Sequence, residues 1–161
     1  MGGIDPAQLK WRVVAPTLAA LPAGLAGDAA VNLLTGTALA ESGGAFLAQL
    51  GGGPALGLWQ MEPATHDDIW RSFLSDARFG EIAARVRRMS CADLPRVQQL
   101  VGNLRYGCAM ARLAYYRAPD VLPDAGDAAG MSALHKRVYN TARGAADPII
   151  TIAAFRRAIA A

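Results

Sequence analysis

The stretch LPRVQQLVGNLRYGCAMARLAYYR, residues 94–117, decides the fold class. Within it Val97, Val101, Leu104, Cys108, Ala111 and Tyr115 recur at steps of 4, 3, 4, 3 and 4. A helix completes a turn in about 3.6 residues, so these side chains share one face and predict a long helix that buries it. Ser90 and Asp93 stand just before it in an acidic version of the capping-box pattern.

Working outward from this helix, the same grammar recurs. Asp5-Pro6 offers an N-cap and a first-turn proline for a helix running toward Ala15, with Pro16 and Pro22 as punctuation. Asp28 caps a second helix over 29–41, which Gly43 and Gly44 stop. Residues 43–57 carry six glycines and Pro54, which predicts a loop, with room for a short β-hairpin. Further helices are expected after Pro63 or Thr65 (Thr65 and Asp68 again suggesting a capping box), over 80–89, over 131–139, and from Asp147-Pro148 onward. The result is one mostly helical domain with a glycine-rich lobe in its middle.

Composition agrees. The 161 residues suit one domain, and 53% hydrophobic against 18% charged residues excludes a disordered tail. A net charge of +3 favours an anionic partner without choosing one. No stretch is long and apolar enough for a transmembrane helix, because Pro16 and Pro22 interrupt 13–27, and the same prolines argue against a signal peptide. Cys91 and Cys108 make neither a disulfide framework nor a metal motif; whether they pair is left open, although Cys108 fits a buried stripe as a free thiol. No cofactor and no metal are expected.

Glu41 is the residue that demands an explanation. Leu34, Ala38 and Glu41 are spaced 4 and 3 apart, so the carboxyl falls on an apolar helical face. Charge there is costly, which favours the neutral acid. A neutral acid at a helix end, beside a glycine-rich loop, suits protonation of a glycosidic oxygen as it leaves. Gln60 supplies amide donors and an acceptor beside that loop.

Four segments together resemble a known family. Ala40-Glu41-Ser42-Gly43-Gly44 is similar to the Glu-Ser motif of lytic transglycosylases and goose-type lysozymes. Gly57-Leu58-Trp59-Gln60-Met61-Glu62-Pro63-Ala64-Thr65 is similar to their glutamine motif, with Trp59 where methionine is usual. Asn103 to Cys108 resembles their central helix, with Tyr106 before Gly107 instead of after it, and Tyr139-Asn140-Thr141-Ala142-Arg143-Gly144 resembles their Tyr-Asn motif. The four occur in the family's order.

The resemblance implies a mainly α, lysozyme-like single domain over residues 1–161, with its motif-bearing part at 29–145 and a small glycine-rich loop or short β-hairpin lobe. It implies cleavage of the β-1,4 bond between N-acetylmuramic acid and N-acetylglucosamine in peptidoglycan. Glu41 would be the catalytic acid and then the base, closing a 1,6-anhydro ring, while Ser42, Trp59, Gln60, Tyr139 and Asn140 are the candidates to meet substrate; against that, Ser42 suits orienting Glu41 or capping a turn, Trp59 and Tyr139 suit the core, Gln60 suits bracing the loop, and Asn140 suits a helix cap. A lysozyme-type hydrolase, or endolysin, would add a second carboxylate from Glu62, Asp67 or Asp68. Asp67 and Asp68 already have a reason to be there, in the first turn of a predicted helix. His66 is expected at the surface or in the first turn of a helix, and His135 on a helix surface.

The implied partner is the peptidoglycan glycan strand, met by a monomer of phage origin that acts on the bacterial wall from the host cytoplasm or from a virion. Two other classes compete: a non-catalytic virion-associated wall-binding module of the same fold, and a basic helical nucleic-acid binder. The latter rests on Arg85, Arg87, Arg88 and Arg96 alone, a cluster more often found on a solvated face, so no nucleic-acid partner is expected.

Overall fold

Pro6 opens helix α1 (residues 6–19), where Asp5 accepts a hydrogen bond from the Gln8 N–H at 3.0 Å. The helix does not stop at Pro16. Proline has no N–H and its ring clashes with the carbonyl four residues back. The chain widens by one residue per turn over Leu9–Val14, so that the Ala15 N–H reaches the Lys10 carbonyl, and an α-helical turn resumes at Ala15–Ala19. The computed structural model describes residues 2–139 and 147–161.

The following helices are α2 (Asp28–Ser42), α3 (residues 63–73), α4 (Gly80–Arg88), α5 (Gln99–Gly102), α6 (Leu104–Tyr116), α7 (Ala128–Val138) and α8 (Pro148–Ala160). Helix accounts for 63% of the structure and strand for 2%, so the protein is mainly α. Among the described residues no helix is long and apolar enough to cross a membrane.

Several caps fall where the sequence places them. Asp147 accepts from the Ile149 N–H, and Gly43 ends α2 in the left-handed conformation. Others do not. The helix expected from Met131 begins three residues earlier, at Ala128, where Asp127 accepts from the Gly130 N–H. Asp28 is the first residue of α2 and Gly27 is its cap. Thr65 lies inside α3, whose first residue is Pro63. The helix expected over 94–117 is two helices broken at Asn103, whose extended backbone lets its side chain accept from the Tyr106 N–H. The Asn103 amide also donates to the Met89 carbonyl at 2.7 Å, which pins the break to the end of α4. Residues 91–98 are turns, with Gln99 bonding the Cys91 and Leu94 carbonyls in place of the expected Ser90–Asp93 cap.

One principal cluster of buried side chains runs from Leu9 to Phe155. Helix α2 passes through it, with Ala30 to Leu39 continuously buried. Cys108 is a buried free thiol, and Cys91 is exposed and free. The most extensive helix–helix contact is between α2 and α8. A Cβ on Gly36 would stand 2.1 Å from Phe155 Cδ1, so only glycine lets that ring seat. Across the molecule Lys10, itself buried, donates from Nζ to the Ala158 carbonyl at 2.9 Å, placing a cation on the last turn of α8. Burial pushes the Lys10 ammonium below its usual range, against the pull of Asp28.

Gly36→Ala should force Phe155 out of its seat and lower stability by about 1–3 kcal/mol, as overpacking does. Thermal unfolding followed by circular dichroism measures it, and an unchanged midpoint would show that α8 is free to shift.

Candidate functional site

Glu41 is the last residue but one of α2, where the helix leaves the core and meets a cleft of about 470 Å3. Sites for small ligands commonly measure roughly 300–1,000 Å3. Gln60, Met61, Glu62 and Tyr139 share this cleft with Glu41. Three segments far apart in sequence therefore converge on one hollow.

The loop between α2 and α3 carries the far wall. Its only pairings among the described residues are the isolated bridges Ala48–Leu56 and Leu56–Met61, so the lobe is a set of turns stapled at Leu56. Two contacts dock it on α2. Ser42 Oγ donates within hydrogen-bond reach of the Leu58 carbonyl, 2.8 Å, and the Trp59 indole N–H donates to the Leu34 carbonyl at 2.9 Å. Ser42 Oγ also accepts from the Gly44 N–H at 3.2 Å. Both side chains are buried and neither lines the cleft. The expected sugar contacts of Ser42 and Trp59 are replaced by a structural task, because each is consumed in holding the loop to the helix that bears Glu41.

Gln60 does both. Its backbone takes φ +45°, a left-handed conformation uncommon outside glycine, and its Nε2 donates to the Gly57 carbonyl at 2.8 Å. Gly57 is fixed at φ +72°, and a Cβ there would stand 2.0 Å from the Leu100 carbonyl oxygen. The amide thus braces its own turn and still borders the cleft.

The candidate second carboxylates separate. Glu62 lines the cleft. Asp68 is not on the cleft lining; it is held by Arg117, which is, at 2.7 Å and by Arg71 at 3.0 Å, and the Arg117 bond first among its partners holds its carboxyl below the usual range. Asp67 is largely exposed and bonds His66 Nδ1 at 2.9 Å. Asp120, which the sequence did not single out, also lines the cleft and pairs with Arg137 at 3.0 Å.

His66 lies in the first turn of α3, one of the two places expected for it, but it is buried; His135 is buried where a helix surface was expected. His66 Nε2 meets the Tyr106 hydroxyl at 2.8 Å, and burial pushes the imidazole below its usual range despite Asp67. His135 Nε2 lies 3.0 Å from Glu41 Oε1, with the two side chains 2% and 10% exposed. Its signal was present: Met131, His135 and Val138, at steps of 4 and 3, form the inner face of α7. Behind it, Nδ1 lies 2.9 Å from the Tyr115 hydroxyl, which lies 2.7 Å from Thr37 Oγ1.

Tyr139 follows α7 and stacks on His135 and on Tyr115, with ring centroids 5.4 and 5.5 Å apart. Its hydroxyl is buried and makes no hydrogen bond among the described residues. Burial, then the neighbouring Tyr115 and Glu41, push it far above the usual phenol range, so it stays a neutral donor. Asn140 lies outside the described residues.

A second hollow, lined by Trp70, Arg87, Arg96 and Asp67, opens away from Glu41. Arg87 and Arg96 both sit over the Trp70 ring, at 5.1 and 5.2 Å, which accounts for part of the basic cluster as cation–π contacts. Among the described residues no group of three or more His, Cys, Asp and Glu side chains could hold a metal ion. No family model, no curated protein and no solved structure significantly matches the chain.

Ser42→Ala should leave the Leu58 carbonyl and the Gly44 N–H short of a partner and lower stability by about 1–3 kcal/mol. Urea unfolding measures the loss, and faster hydrogen exchange at Gly44 locates it at the junction of helix and loop.

Proposed function

We propose that the protein cleaves the β-1,4 bond between N-acetylmuramic acid and N-acetylglucosamine in peptidoglycan, as a lytic transglycosylase with Glu41 as its acid and base. The observation that carries the reading is the setting of Glu41. Its carboxyl is nine-tenths buried, it borders a cleft of saccharide size, and Gln60 and Tyr139 border the same cleft. The resemblance drawn from the sequence involves these same three residues, and their meeting in one hollow is independent of it.

In this reading a glycan strand lies along the cleft. Glu41 gives a proton to the glycosidic oxygen as the C1–O bond breaks, and the substrate's own N-acetyl group meets the positive charge at C1. Glu41 then takes the proton of the muramic C6 hydroxyl, whose oxygen closes the 1,6-anhydro ring. Gln60, braced by Gly57, has little freedom left to lose on binding a sugar. Tyr139 keeps its phenol neutral as a donor toward the N-acetyl group or Glu41.

Hydrolysis is the second reading, and Glu62 is what favours it. It is the one acid of the three considered from sequence that lines the cleft, where it could hold a water. Phage origin, action from a virion and a monomeric state belong to the same proposal.

Glu41→Gln should lose at least about 100-fold in rate with the fold retained, since a positioned acid contributes roughly 10²–10⁴. Mass spectrometry of digested peptidoglycan decides the product: anhydromuramic ends support the transglycosylase, and reducing ends that vanish in Glu62→Ala support the hydrolase. Near-normal turnover by Glu41→Gln would remove Glu41 from the chemistry, and no cleavage by the wild type would leave a wall-binding module.

A further inference from the structure

The second hollow, of about 690 Å3, is bordered by α3, by the end of α4 and by the turns at 91–98. Trp70 is its platform. The indole N–H donates to the Tyr106 hydroxyl at 2.9 Å, and that hydroxyl lies 2.8 Å from His66 Nε2. His66 Nδ1 lies 2.9 Å from Asp67 Oδ1. An indole N–H only donates and a carboxylate only accepts. Burial, against the pull of Asp67, favours the neutral imidazole. One order then satisfies all three contacts: Nδ1–H donates to Asp67, the Tyr106 O–H donates to Nε2, and the indole N–H donates to the Tyr106 oxygen. His66 and Tyr106 are fully buried, so these bonds tie the Trp70 ring to the core.

Two arginines converge on this platform from different elements. Arg87 of α4 and Arg96 of the turns at 91–98 stand 5.1 and 5.2 Å from the ring centroid. A cation–π contact holds the charge without supplying an acceptor for its N–H groups. Among the described residues neither guanidinium forms an ion pair or a hydrogen bond. Both residues are exposed, so a ligand can reach them. The third arginine on the lining, Arg71, bonds Asp68, and the carboxylate on the lining, Asp67, is engaged by His66. Two positive charges thus share one ring with no counter-charge of their own, and they repel. An anion that accepts from both removes the repulsion. Because the ring already holds both long side chains, less of their conformational freedom is lost on binding.

The chemistry of the two forks selects the anion. A carboxylate or a phosphodiester offers two charged oxygens, which one guanidinium fork takes up. A phosphate monoester offers three and carries a charge of about −2 near neutral pH, which matches two guanidinium groups. We propose that the hollow over Trp70 is a binding site for a phosphate monoester, with Arg87 and Arg96 as its two forks and the Trp70 ring as the support that holds them in place. The two hollows share no lining residue, and the assignment does not rest on the glycan-cleavage reading.

The test is a titration of the full chain with methyl phosphate at neutral pH, followed by NMR of the arginine Nε–H and tryptophan indole N–H signals. Saturable shifts are expected at Arg87, Arg96 and Trp70, with a Kd of about 1 mM or tighter. Arg87→Gln and Arg96→Gln should each weaken binding at least about tenfold, as the loss of a charge-assisted pair does. Arg88→Gln removes the same charge one position along α4, off both the ring and the lining, and should leave Kd unchanged. If the glutamine variants do not fold, Arg87→Lys and Arg96→Lys keep the charge, lose the planar fork and should weaken binding as well. Dimethyl phosphate and acetate should bind more weakly than methyl phosphate. The absence of saturable shifts at Arg87 and Arg96 overturns the site. Acetate or dimethyl phosphate binding as tightly as methyl phosphate overturns the ligand class. An equal loss in Arg88→Gln means a diffuse basic surface and overturns the site too.

Discussion

Burying a carboxyl group costs far more than burying a hydroxyl or an amide unless a partner meets it. Glu41 is buried to nine-tenths near the end of α2, and His135 meets it at 3.0 Å. Much of the molecule around the cleft follows from that pairing. It joins α7 to the end of α2 through a side-chain contact. It requires Tyr115, on α6, to stand behind the imidazole, and it sets Tyr139 against both rings. Three helices and the residue after one of them thus share a polar thread in a core built mostly of Leu, Ala and Met.

The glycine-rich lobe is the complement of this rigid side. It has almost no strand pairing, so its shape depends on contacts with its surroundings. Ser42 and Trp59 tie it to the helix that carries Glu41, and Gly57 lets it pass against the Leu100 carbonyl where any side chain would collide. Gln60 pays for its left-handed backbone through the bond to Gly57. A loop held in this way can present a wall to a long, flexible polymer without being ordered by it, which suits the glycan strand proposed as substrate.

Helix ends in this protein are set as much by neighbours as by local caps. Pro16 would end an isolated helix. Here α1 runs past it through a widened turn, because Leu9, Val14 and Leu18 on either side are all fully buried and their burial outweighs a disturbed ladder. At Asn103 the balance goes the other way. The apolar stripe continues across it, yet the side chain finds the Met89 carbonyl and the Tyr106 N–H, and the helix breaks. At Asn103 the local cap on Tyr106 is joined by a partner fourteen residues away, the Met89 carbonyl.

Periodicity and punctuation are local properties, and they were legible in the sequence. The stripe through Cys108, Ala111 and Tyr115, the caps at Asp5 and Asp147, the stop at Gly43 and the loop after it depend on residues within a few positions of one another. So does the apolar face that makes Glu41 conspicuous. The tertiary structure alone decided what each side chain meets. It turned Ser42 and Trp59 from sugar contacts into loop anchors and sent Asp68 to Arg117. It also left Glu62 the one acid of the three on the cleft, and carried His135 from an expected surface to the back of Glu41. Hydrogen bonds depend on distances of a few tenths of an ångström and on direction, and between residues 94 positions apart, as Glu41 and His135 are, only the packed fold sets those.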